Sequence, residues 1–408
     1  MRLPMTFSEL PLSSIANKQY DAVIIGGGMV GASLALGLGQ QGKSVLLIEK
    51  VAPQVSWLAE PPLRVSAVNR YSESWLREIN SWQEIDEASS CAFKRLATWE
   101  KGTPVVEFSA DDINETHLGS LIRNEAIQIA AYKALEKSVM DVDVVFGAGI
   151  TAYSDKTAPH ILVSLSDGET ETNVESHLLI GADGANSKVR QLSNIGTSGW
   201  DYQQQCFSIT IKTQFGQQDI TWQEFQPSGP KAFLPLNNGY ACLIWYDSKE
   251  KVGHLKSLSI DNLKQHVLAT FPELPGDFEI VKTASFPLTR RQANSYVKNR
   301  VVLVGDAAHT INPLAGQGVN LGFKDSAELI ELLSGADLND INKLNQRLSV
   351  YQRNRKADSL VMSTAMDGFY HLFSNDKGLL KSFRNLLLTA VNALPSAKLK
   401  VMKKALGF

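Results

Sequence analysis

The stretch Tyr20–Lys50, YDAVIIGGGMVGASLALGLGQQGKSVLLIEK, decides the fold of this chain. Two short apolar runs, Ala22–Ile25 and Ser44–Ile48, have the continuous hydrophobicity of strands that are buried on both faces of a parallel sheet. Between them, the small and apolar residues of Ala32–Leu38 predict a helix that packs closely on the sheet, and Gly42 ends it. The order of strand, turn, helix and strand predicts a Rossmann-like α/β fold.

Three glycines of the turn, Gly26, Gly28 and Gly31, have the GxGxxG spacing of dinucleotide-binding turns. Gly26 permits the tight turn out of the strand, Gly28 lets the backbone approach a pyrophosphate, and Gly31 lets the helix lie near the strand. The helix N-terminus offers free N–H groups and a partial positive charge to phosphates. Glu49, 18 residues after Gly31, is placed to accept hydrogen bonds from a ribose. The pattern predicts a dinucleotide site, although glycine-rich turns also occur for structural reasons alone.

A second strand and turn, SHLLIGADGANSKVRQLSNI, spans residues 176–195. Leu178–Ile180 predicts a strand, Asp183 and Gly184 lie in the turn after it, and Ser187 is a candidate cap for the following helix. Taken alone, this segment favours a strand, a turn and a capped helix that bind nothing.

The third segment, VVLVGDAAHTINPLAGQGVN, spans residues 301–320. Its apolar strand ends just before Asp306, and ligands of open α/β sheets bind outside the carboxyl ends of strands. An acid there can hold the hydroxyls of a sugar or a ribityl chain, and Pro313 can fix the backbone beside a planar ring. Gly316 and Gly318 remove side chains where the backbone approaches a ligand, and a helix follows them. Without a ligand, the same glycines would be ordinary turn residues.

The order GGGMVG…E, GADGANSKVR and GDAAHTINPLAGQGVN resembles the FAD-dependent aromatic hydroxylases of the p-hydroxybenzoate hydroxylase superfamily, over about Tyr20–Leu333. The segments GPKAFLPL, LIWYDS and FPLTRR are most similar to the hydroxylases of ubiquinone biosynthesis. The resemblance implies FAD as cofactor, NAD(P)H as reductant, O2 as co-substrate, and hydroxylation of the ring of a polyprenylated benzoquinol. Two alternatives stay open: a sister hydroxylase of the pathway that acts at another ring position, and a flavin-dependent reductase on the same fold.

The resemblance also implies cofactor contacts along the chain. The ADP half of FAD is implied to contact Gly26, Gly28, Gly31 and Glu49. Positions beside the cofactor are implied for Arg64, Arg123, Asn124, Gln128, Asp183 and Gly184. The ribityl chain and the flavin ring are implied to contact Asp306, Pro313, Gly316, Gln317, Gly318 and Asn320. The catalytic side chains are left unknown, and the sequence contains no metal-ligand cluster.

Residues 200–291 lack the Rossmann pattern. FSITIKTQF and YACLIWYD alternate apolar and polar residues, as half-buried antiparallel strands do, and FQPSGPKAFLPL has the turn signals of a hairpin. We predict a β-rich substrate domain whose sheet covers the flavin. The candidate pocket-lining residues are Trp222, Phe225, Phe233 and Trp245. Each of them, taken singly, is more typical of a domain core.

The chain therefore divides into four predicted parts. Residues 1–19 are a flexible lead-in, residues 20–199 and 292–340 form a discontinuous FAD-binding domain, residues 200–291 form the inserted β-rich domain, and residues 341–408 form C-terminal helices with a basic amphipathic tail. Residues 377–408 contain seven Lys or Arg and no Asp or Glu. This is typical of a membrane-surface or partner-binding helix, or of a helix that packs on its own core with a solvated basic face.

Three features have two interpretations each. Arg64 fits a position near the flavin or an ordinary surface arginine. His309 fits a base beside Asp306 or a structural histidine. Arg290 and Arg291 fit a site for the phosphates of the nicotinamide cofactor or a strand that ends in solvent.

Composition narrows the class of protein. A net charge of −2 gives no electrostatic reason to bind nucleic acid. The three cysteines are far apart in sequence, which fits a reducing compartment better than a disulfide framework. No apolar run reaches the roughly 18 residues of a transmembrane helix, and the N-terminus lacks a secretory signal. We predict a cytoplasmic enzyme; peripheral contact with the inner membrane or with pathway enzymes through the tail, and assembly into a homo-oligomer, are left open.

Overall fold

The computed structural model describes residues 7–103, 105–155, 160–272, 274–312 and 316–373. Its strands are β1 (Gln19–Ile25), β2 (Val45–Glu49), β3 (Val65–Asn69), β4 (Ser90–Phe93), β5 (Arg95–Glu100), β6 (Val106–Ser109), β7 (Gly119–Arg123), β8 (Val142–Phe146), β9 (Gly149–Ser154), β10 (Ile161–Ser166), β11 (Glu171–Gly181), β12 (Thr197–Thr213), β13 (Ile220–Phe225), β14 (Lys231–Pro235), β15 (Tyr240–Ser248), β16 (Phe278–Ala293), β17 (Val297–Lys298), β18 (Val301–Leu303) and β19 (His309–Thr310). Its helices are α1 (Met29–Gln40), α2 (Arg70–Glu78), α3 (Asn124–Lys137), α4 (Lys188–Leu192), α5 (Lys249–Ser257), α6 (Ile260–Thr270), α7 (Gly318–Leu333) and α8 (Ile341–Phe373).

The first sheet is built on parallel strands in the order β8, β2, β1, β11 and β18. Its register aligns Ile25 of β1 with Ile48 of β2 and with Gly181 of β11. Gly181 is aligned in turn with Leu303 of β18. Because parallel strands end at the same edge, all three segments singled out in the sequence reach one edge of this sheet. The predicted Rossmann-like α/β core is confirmed.

The strands and helices of this core are apolar and closely packed. In β1 and β2, the residues from Ala22 to Ile25 and from Val45 to Ile48 are all buried. Each buried Val, Leu or Ile contributes roughly 1.5–3 kcal/mol through the apolar surface that it removes from water. The absence of a side chain at Gly37 lets α1 lie against α7, since a Cβ there would be 2.3 Å from Ile330 Cδ1.

The second sheet has the order β19, β16, β12, β15, β14, β13, β5 and β6. The predicted antiparallel strands and the hairpin of β13 and β14 are present. The sheet also draws on β5 and β6, with β5 parallel to β13, and on β19 at its other edge. It is therefore wider than the predicted segment 200–291, because strands that are distant in sequence complete both edges.

A small antiparallel sheet, β3-β7-β4, and the long helix α8 join the two large sheets. Tyr351 OH of α8 donates to Leu303 O of β18 at 2.9 Å. Two helical turns further along, Ser359 Oγ donates to the side-chain oxygen of Gln292 in β16 at 3.2 Å. In the part of the chain that the structure describes, no helix is long and apolar enough to cross a bilayer.

Candidate functional site

Two glycines shape the turn between β1 and α1. Gly26 has a φ of +102°, a conformation that favours glycine. A Cβ at Gly31 would lie 1.8 Å from the carbonyl oxygen of Gly26, so glycine is needed there for close approach. The chain therefore enters α1 directly beyond the edge of the sheet, where the first N–H groups of the helix have no intrahelical partner.

Side chains from two neighbouring elements hold the peptide of Gly27. Glu49, at the end of β2, accepts from Gly27 N through Oε2 at 2.6 Å and from Val51 N through Oε1 at 3.0 Å. From α3, Gln128 Nε2 and Tyr132 OH donate to Gly27 O at 2.9 and 3.1 Å. The structure thus brings two predicted side chains, Glu49 and Gln128, to the glycine turn.

The turn after β11 contains Asp183 and Gly184. Asp183 Oδ2 accepts from two backbone N–H groups at the start of α4, at 2.6 and 3.1 Å. Asp183 Oδ1 is buried and has no hydrogen-bond partner among the described residues. Arg190 of α4 donates to Ala185 O at 2.7 Å and to Ala307 O at 2.8 Å. Arg190 therefore joins this turn to the turn that follows β18.

Asp306 lies in a single turn of 3-10 helix, Gly305–Ala307, at the end of β18. Its side chain is accessible to solvent although protein surrounds it on most sides. Desolvation by that surrounding protein raises the pKa of Asp306, while His309 and Arg64 act in the opposite direction. Accessibility and enclosure together indicate that this carboxyl faces a cleft.

The start of α7 packs against β3. Gly316 has a φ of +62°, and a Cβ there would lie 3.0 Å from Ala67 Cβ. Asn320 accepts from Asn69 N at 3.0 Å and donates through Nδ2 to Ala67 O at 2.8 Å. Asn320 therefore fixes β3 relative to α7, and Gly316 permits the close approach.

The other predicted residues of this loop have different surroundings. Gln317 Oε1 accepts from Asn320 Nδ2 at 3.4 Å. Gly318 faces open space, because a Cβ there would meet no atom within 4 Å. Pro313 lies outside the described residues.

The predicted residues Arg64, Arg123 and Asn124 surround the first end of β3. Asn124 N donates to Arg64 O at 3.0 Å, and Asn124 Oδ1 accepts from Ser66 Oγ at 2.7 Å. The Arg123 guanidinium donates to the carbonyl groups of residues 57 and 58 at 2.7 and 2.9 Å. The exposed Arg64 places its guanidinium carbon 4.2 Å from the ring centroid of Phe286 in β16. Arg64 thus reaches the second sheet, whereas Arg123 is held by the protein itself.

The cleft formed by these segments fits FAD. Carboxylates at the ends of three parallel strands can accept from ribose and ribityl hydroxyls, and the N-terminus of α1 can face a pyrophosphate. The unpartnered Oδ1 of Asp183 is a buried acceptor that lacks a donor among the described residues. Three glycines of the cleft face open space, where a Cβ would meet no atom within 4 Å: Gly28, Gly184 and Gly318.

One face of the second sheet is turned toward this cleft. Thr210 Oγ1 of β12 donates to Pro62 O at 2.6 Å. Phe286, beneath Arg64, lies on the same face. An apolar cluster joins this face to β3, and its members include Val65, Ala67, Leu234, Cys242 and Ile244. The opposite face packs against α5 and α6.

Three of the four predicted pocket aromatics lie on the opposite face. Trp222 stacks on Phe233 with centroids 5.8 Å apart, and Trp245 contacts Phe271 edge-on at 5.5 Å. All three lie in or against the cluster that α5 and α6 cover, so the structure places Trp222, Phe233 and Trp245 on the face away from the cleft. Phe225 comes three residues after Trp222 in the same strand, so its side chain points to the other face and it stays a prediction.

The contacts also bear on the residues with two interpretations. His309 is buried and its Nε2 lies 2.5 Å from Asp325 Oδ2, which favours the structural interpretation. Arg290 and Arg291 each form an ion pair with an acid, Asp367 and Asp201 respectively. Over the described ranges, no group of three or more His, Cys, Asp or Glu residues could hold a metal ion.

Sequence reasoning missed Tyr132 and Arg190 as parts of the site. Tyr132 follows Gln128 by one helical turn, so the face of α3 on which Gln128 lies could have indicated it. Arg190 stands in a segment that the sequence singled out, but its partner Ala307 is 117 residues away. No local pattern in the sequence predicts that pairing.

Comparison with known proteins agrees with this geometry. The profile of the family described as FAD binding domain matches residues 19–359. A 3-demethoxyubiquinol 3-hydroxylase of Escherichia coli (strain K12) is 38% identical over 396 residues, which cover 96% of this chain and 100% of that protein. The ubiquinone biosynthesis monooxygenase COQ6, mitochondrial, of Rattus norvegicus is 31% identical over 96% of this chain and 91% of that protein.

Among solved structures, p-nitrophenol 4-monooxygenase PnpA from Pseudomonas putida DLL-E4 has a TM-score of 0.78 at 16% identity. The match covers 95% of this chain and 98% of that chain, and it concerns the fold alone. Because the family profile spans most of the sequence and the relatives match over nearly its whole length, this chain belongs to the FAD binding domain family and, within it, to the hydroxylases of ubiquinone biosynthesis.

Proposed function

We propose that this protein is an FAD-dependent monooxygenase that hydroxylates the ring of a polyprenylated benzoquinol in ubiquinone biosynthesis, with NAD(P)H as reductant and O2 as co-substrate. The observation that carries the proposal is the 38% identity to a 3-demethoxyubiquinol 3-hydroxylase over that relative's entire length. Bound FAD supplies the oxygen chemistry, and the chain supplies position, polarity and exclusion of water. An electron-rich quinol ring needs little help from a side-chain base, in agreement with the buried His309.

We assign the two halves of FAD to the two ends of the cleft. The ADP half is assigned to the turn after β1, and the ribityl chain to Asp306. The full set of assigned residues is Gly26, Gly28, Gly31, Glu49, Arg64, Arg123, Asn124, Gln128, Asp183, Gly184, Asp306, Pro313, Gly316, Gln317, Gly318 and Asn320. The support is that Gly26, Glu49, Asp183 and Asp306 follow or end strands that meet at one carboxyl edge of the parallel sheet, with open space beside three of the glycines.

The quinol ring is assigned to the space between the Asp306 turn and the cleft-facing side of the second sheet. That side is lined by an apolar cluster, which suits a ring with a polyprenyl chain. Phe286 and Arg64 lie at its margin, 4.2 Å apart, and Phe225 is retained as a further candidate. We accordingly propose a cofactor domain of residues 20–199 and 292–340 and a substrate domain of residues 200–291, whose sheet also includes β5 and β6.

The first experiment uses purified protein, a demethoxyubiquinol analogue with a short prenyl chain, NADPH and ¹⁸O2. One labelled oxygen on the ring, located by tandem mass spectrometry, supports the proposal and fixes the ring position. Label at another ring carbon would assign the chain to a sister hydroxylase of the pathway. Oxidation of NADPH without labelled product would move it to a flavin-dependent reductase.

We also propose that residues 377–408 contact a membrane surface, because their seven cations and interleaved leucines suit anionic lipid and the substrate is a membrane lipid. The intact protein is expected to co-sediment with anionic liposomes at low salt, and the double variant Lys403→Glu/Lys404→Glu to bind less. Lys256→Glu, which changes an exposed lysine of α5, is the control. Equal binding of the double variant and the control would contradict a role for the tail; binding only to a pathway enzyme would make the tail a protein contact.

A further inference from the structure

A fully buried carboxylate on α7, Asp325, lies behind the turn that carries Asp306. Asp325 Oδ2 accepts from Gly305 N at 2.9 Å and lies 2.5 Å from His309 Nε2. Asp325 Oδ1 accepts from Arg355 Nε of α8 at 2.8 Å. The exposed fractions of Asp325, His309 and Arg355 are 0%, 1% and 3%, so solvent cannot replace any of these contacts.

In this buried cluster, the negative charge of Asp325 is balanced by the positive charge of Arg355. Burial by itself would raise the pKa of Asp325, but His309 and Arg355 outweigh it and hold the pKa below its ordinary value. Burial would lower the pKa of Arg355, but Asp325 outweighs it and the pKa lies above its ordinary value. An ionised carboxylate therefore faces a permanent guanidinium charge inside the core.

The contacts of Asp325 fall on both sides of Asp306. Gly305 precedes Asp306 and has a φ of +58°, and His309 follows Asp306 by three residues. Arg190 donates to Ala307 O, in the middle of the same turn, at 2.8 Å. Asp325 itself does not face the cleft, so it acts on whatever binds there only through the backbone of the turn.

We infer that Asp325, held in place by Arg355, is a positioning residue that sets the Asp306 carboxylate for the ribityl chain of FAD. The inference rests on the proposed role of Asp306. It also gives α8 a function in the cofactor site, because Arg355 comes from that helix. Neither residue was indicated by the glycine motifs of the sequence.

The test compares Asp325→Asn, Arg355→Lys and the control Arg353→Lys, which changes an exposed arginine on the same helix. Asn keeps the shape of Asp but loses the charge that orients His309 and Arg355. For each variant, FAD affinity is measured by quenching of flavin fluorescence, the visible spectrum of bound flavin is recorded, and the melting temperature of the flavin-free protein is determined. We expect Asp325→Asn to weaken FAD binding on the order of tenfold, by analogy with residues that orient metal ligands, and to alter the flavin spectrum, with the control unchanged.

A lower melting temperature of the flavin-free Asp325→Asn protein, with FAD affinity and spectrum unchanged, would overturn the inference in favour of a purely structural role. If Asp325→Asn does not fold, Arg355→Lys decides, because a single Nζ cannot replace the contacts of Arg355 to both Asp325 and Asp358. Unchanged FAD affinity of Arg355→Lys would then overturn the inference.

Asp306→Ala distinguishes a failure of the proposed role of Asp306 from a failure of the positioning role of Asp325. If Asp306→Ala leaves FAD affinity unchanged, the proposed role of Asp306 fails and the inference fails with it. If Asp306→Ala weakens binding and Asp325→Asn does not, the positioning role alone fails.

Discussion

A methyl group added at Gly28 should weaken FAD binding without lowering the free energy of unfolding. Gly28 has a φ of −67° and a ψ of −171°, which alanine adopts without strain. A Cβ at this position would meet no atom of the protein within 4 Å. Gly-to-Ala changes at such compatible positions stabilise proteins by about 0.4–1 kcal/mol, because the unfolded chain loses conformational freedom. The free energy of unfolding of the flavin-free Gly28→Ala protein should therefore be unchanged or slightly higher.

The same change should weaken the binding of FAD. If the pyrophosphate approaches the backbone at Gly28 as proposed, the new methyl group occupies its space. Overpacking of a closely fitted contact costs about 1–3 kcal/mol. At 1.4 kcal/mol for each factor of ten, the dissociation constant of FAD should rise roughly 5- to 150-fold.

Fluorescence titration with FAD measures the affinity, and urea unfolding of the flavin-free protein measures stability. Gly253→Ala in α5 is the matched control, because a Cβ added at Gly253 would also meet no atom within 4 Å, and this glycine lies far from the cleft segments in sequence. Gly31→Ala should behave differently and lower both the affinity for FAD and the free energy of unfolding, since its Cβ would lie 1.8 Å from Gly26 O. Wild-type FAD affinity in Gly28→Ala would refute the assignment of the pyrophosphate to this turn.

Two further predictions concern the second sheet. Burial lowers the pKa of Lys231 to about 8 from its ordinary value of 10.5. Between these two pH values the unfolded chain binds more protons than the folded protein. The free energy of unfolding should therefore rise by about 3 kcal/mol as the pH increases over this range. Lys231→Met should abolish this rise, measured by urea unfolding at pH 7.5 to 10.5, and parallel curves for both proteins would contradict the reasoning. Phe233→Leu should lower the free energy of unfolding by about 1–2 kcal/mol and leave the KM for the quinol unchanged. Phe286→Leu should change KM with little loss of stability, and the reverse pair of results would return Phe233 to the pocket.

The cofactor edge of the fold could be predicted from sequence because its determinants are local. A run of apolar residues predicts a parallel strand, and a glycine or an acid directly after it must lie at the carboxyl edge. Three such segments therefore meet at one edge whatever the loops between them do. The observed register, which aligns Ile25, Ile48, Gly181 and Leu303, agrees with this rule.

The supporting contacts could not be predicted, because they join residues that are distant in sequence and chemically unremarkable by themselves. Arg190 reaches a carbonyl group 117 residues away, and Arg355 reaches a carboxylate 30 residues away on another helix. Strand β5 joins the second sheet beside β13, with Arg95 aligned with Ile220, although β8, β9, β10 and β11 of the first sheet lie between them in the chain. Each contact depends on tertiary packing that no periodicity in the sequence encodes.

The location of the predicted pocket aromatics, on the face away from the cleft, has a more specific cause. Alternation in a strand shows that two faces differ, and a one-residue shift exchanges them, but alternation does not show which face the cofactor covers. In this sheet α5 and α6 pack against the face with Phe233 and Trp245, and β3 packs against the face with Cys242 and Ile244. Large aromatic side chains occur on both faces, because Tyr246 and Phe286 are aligned with Cys206 on the face that is turned toward the cleft. The size of a side chain is therefore a poor guide to the substrate face, which we propose lies opposite α5 and α6 in this chain.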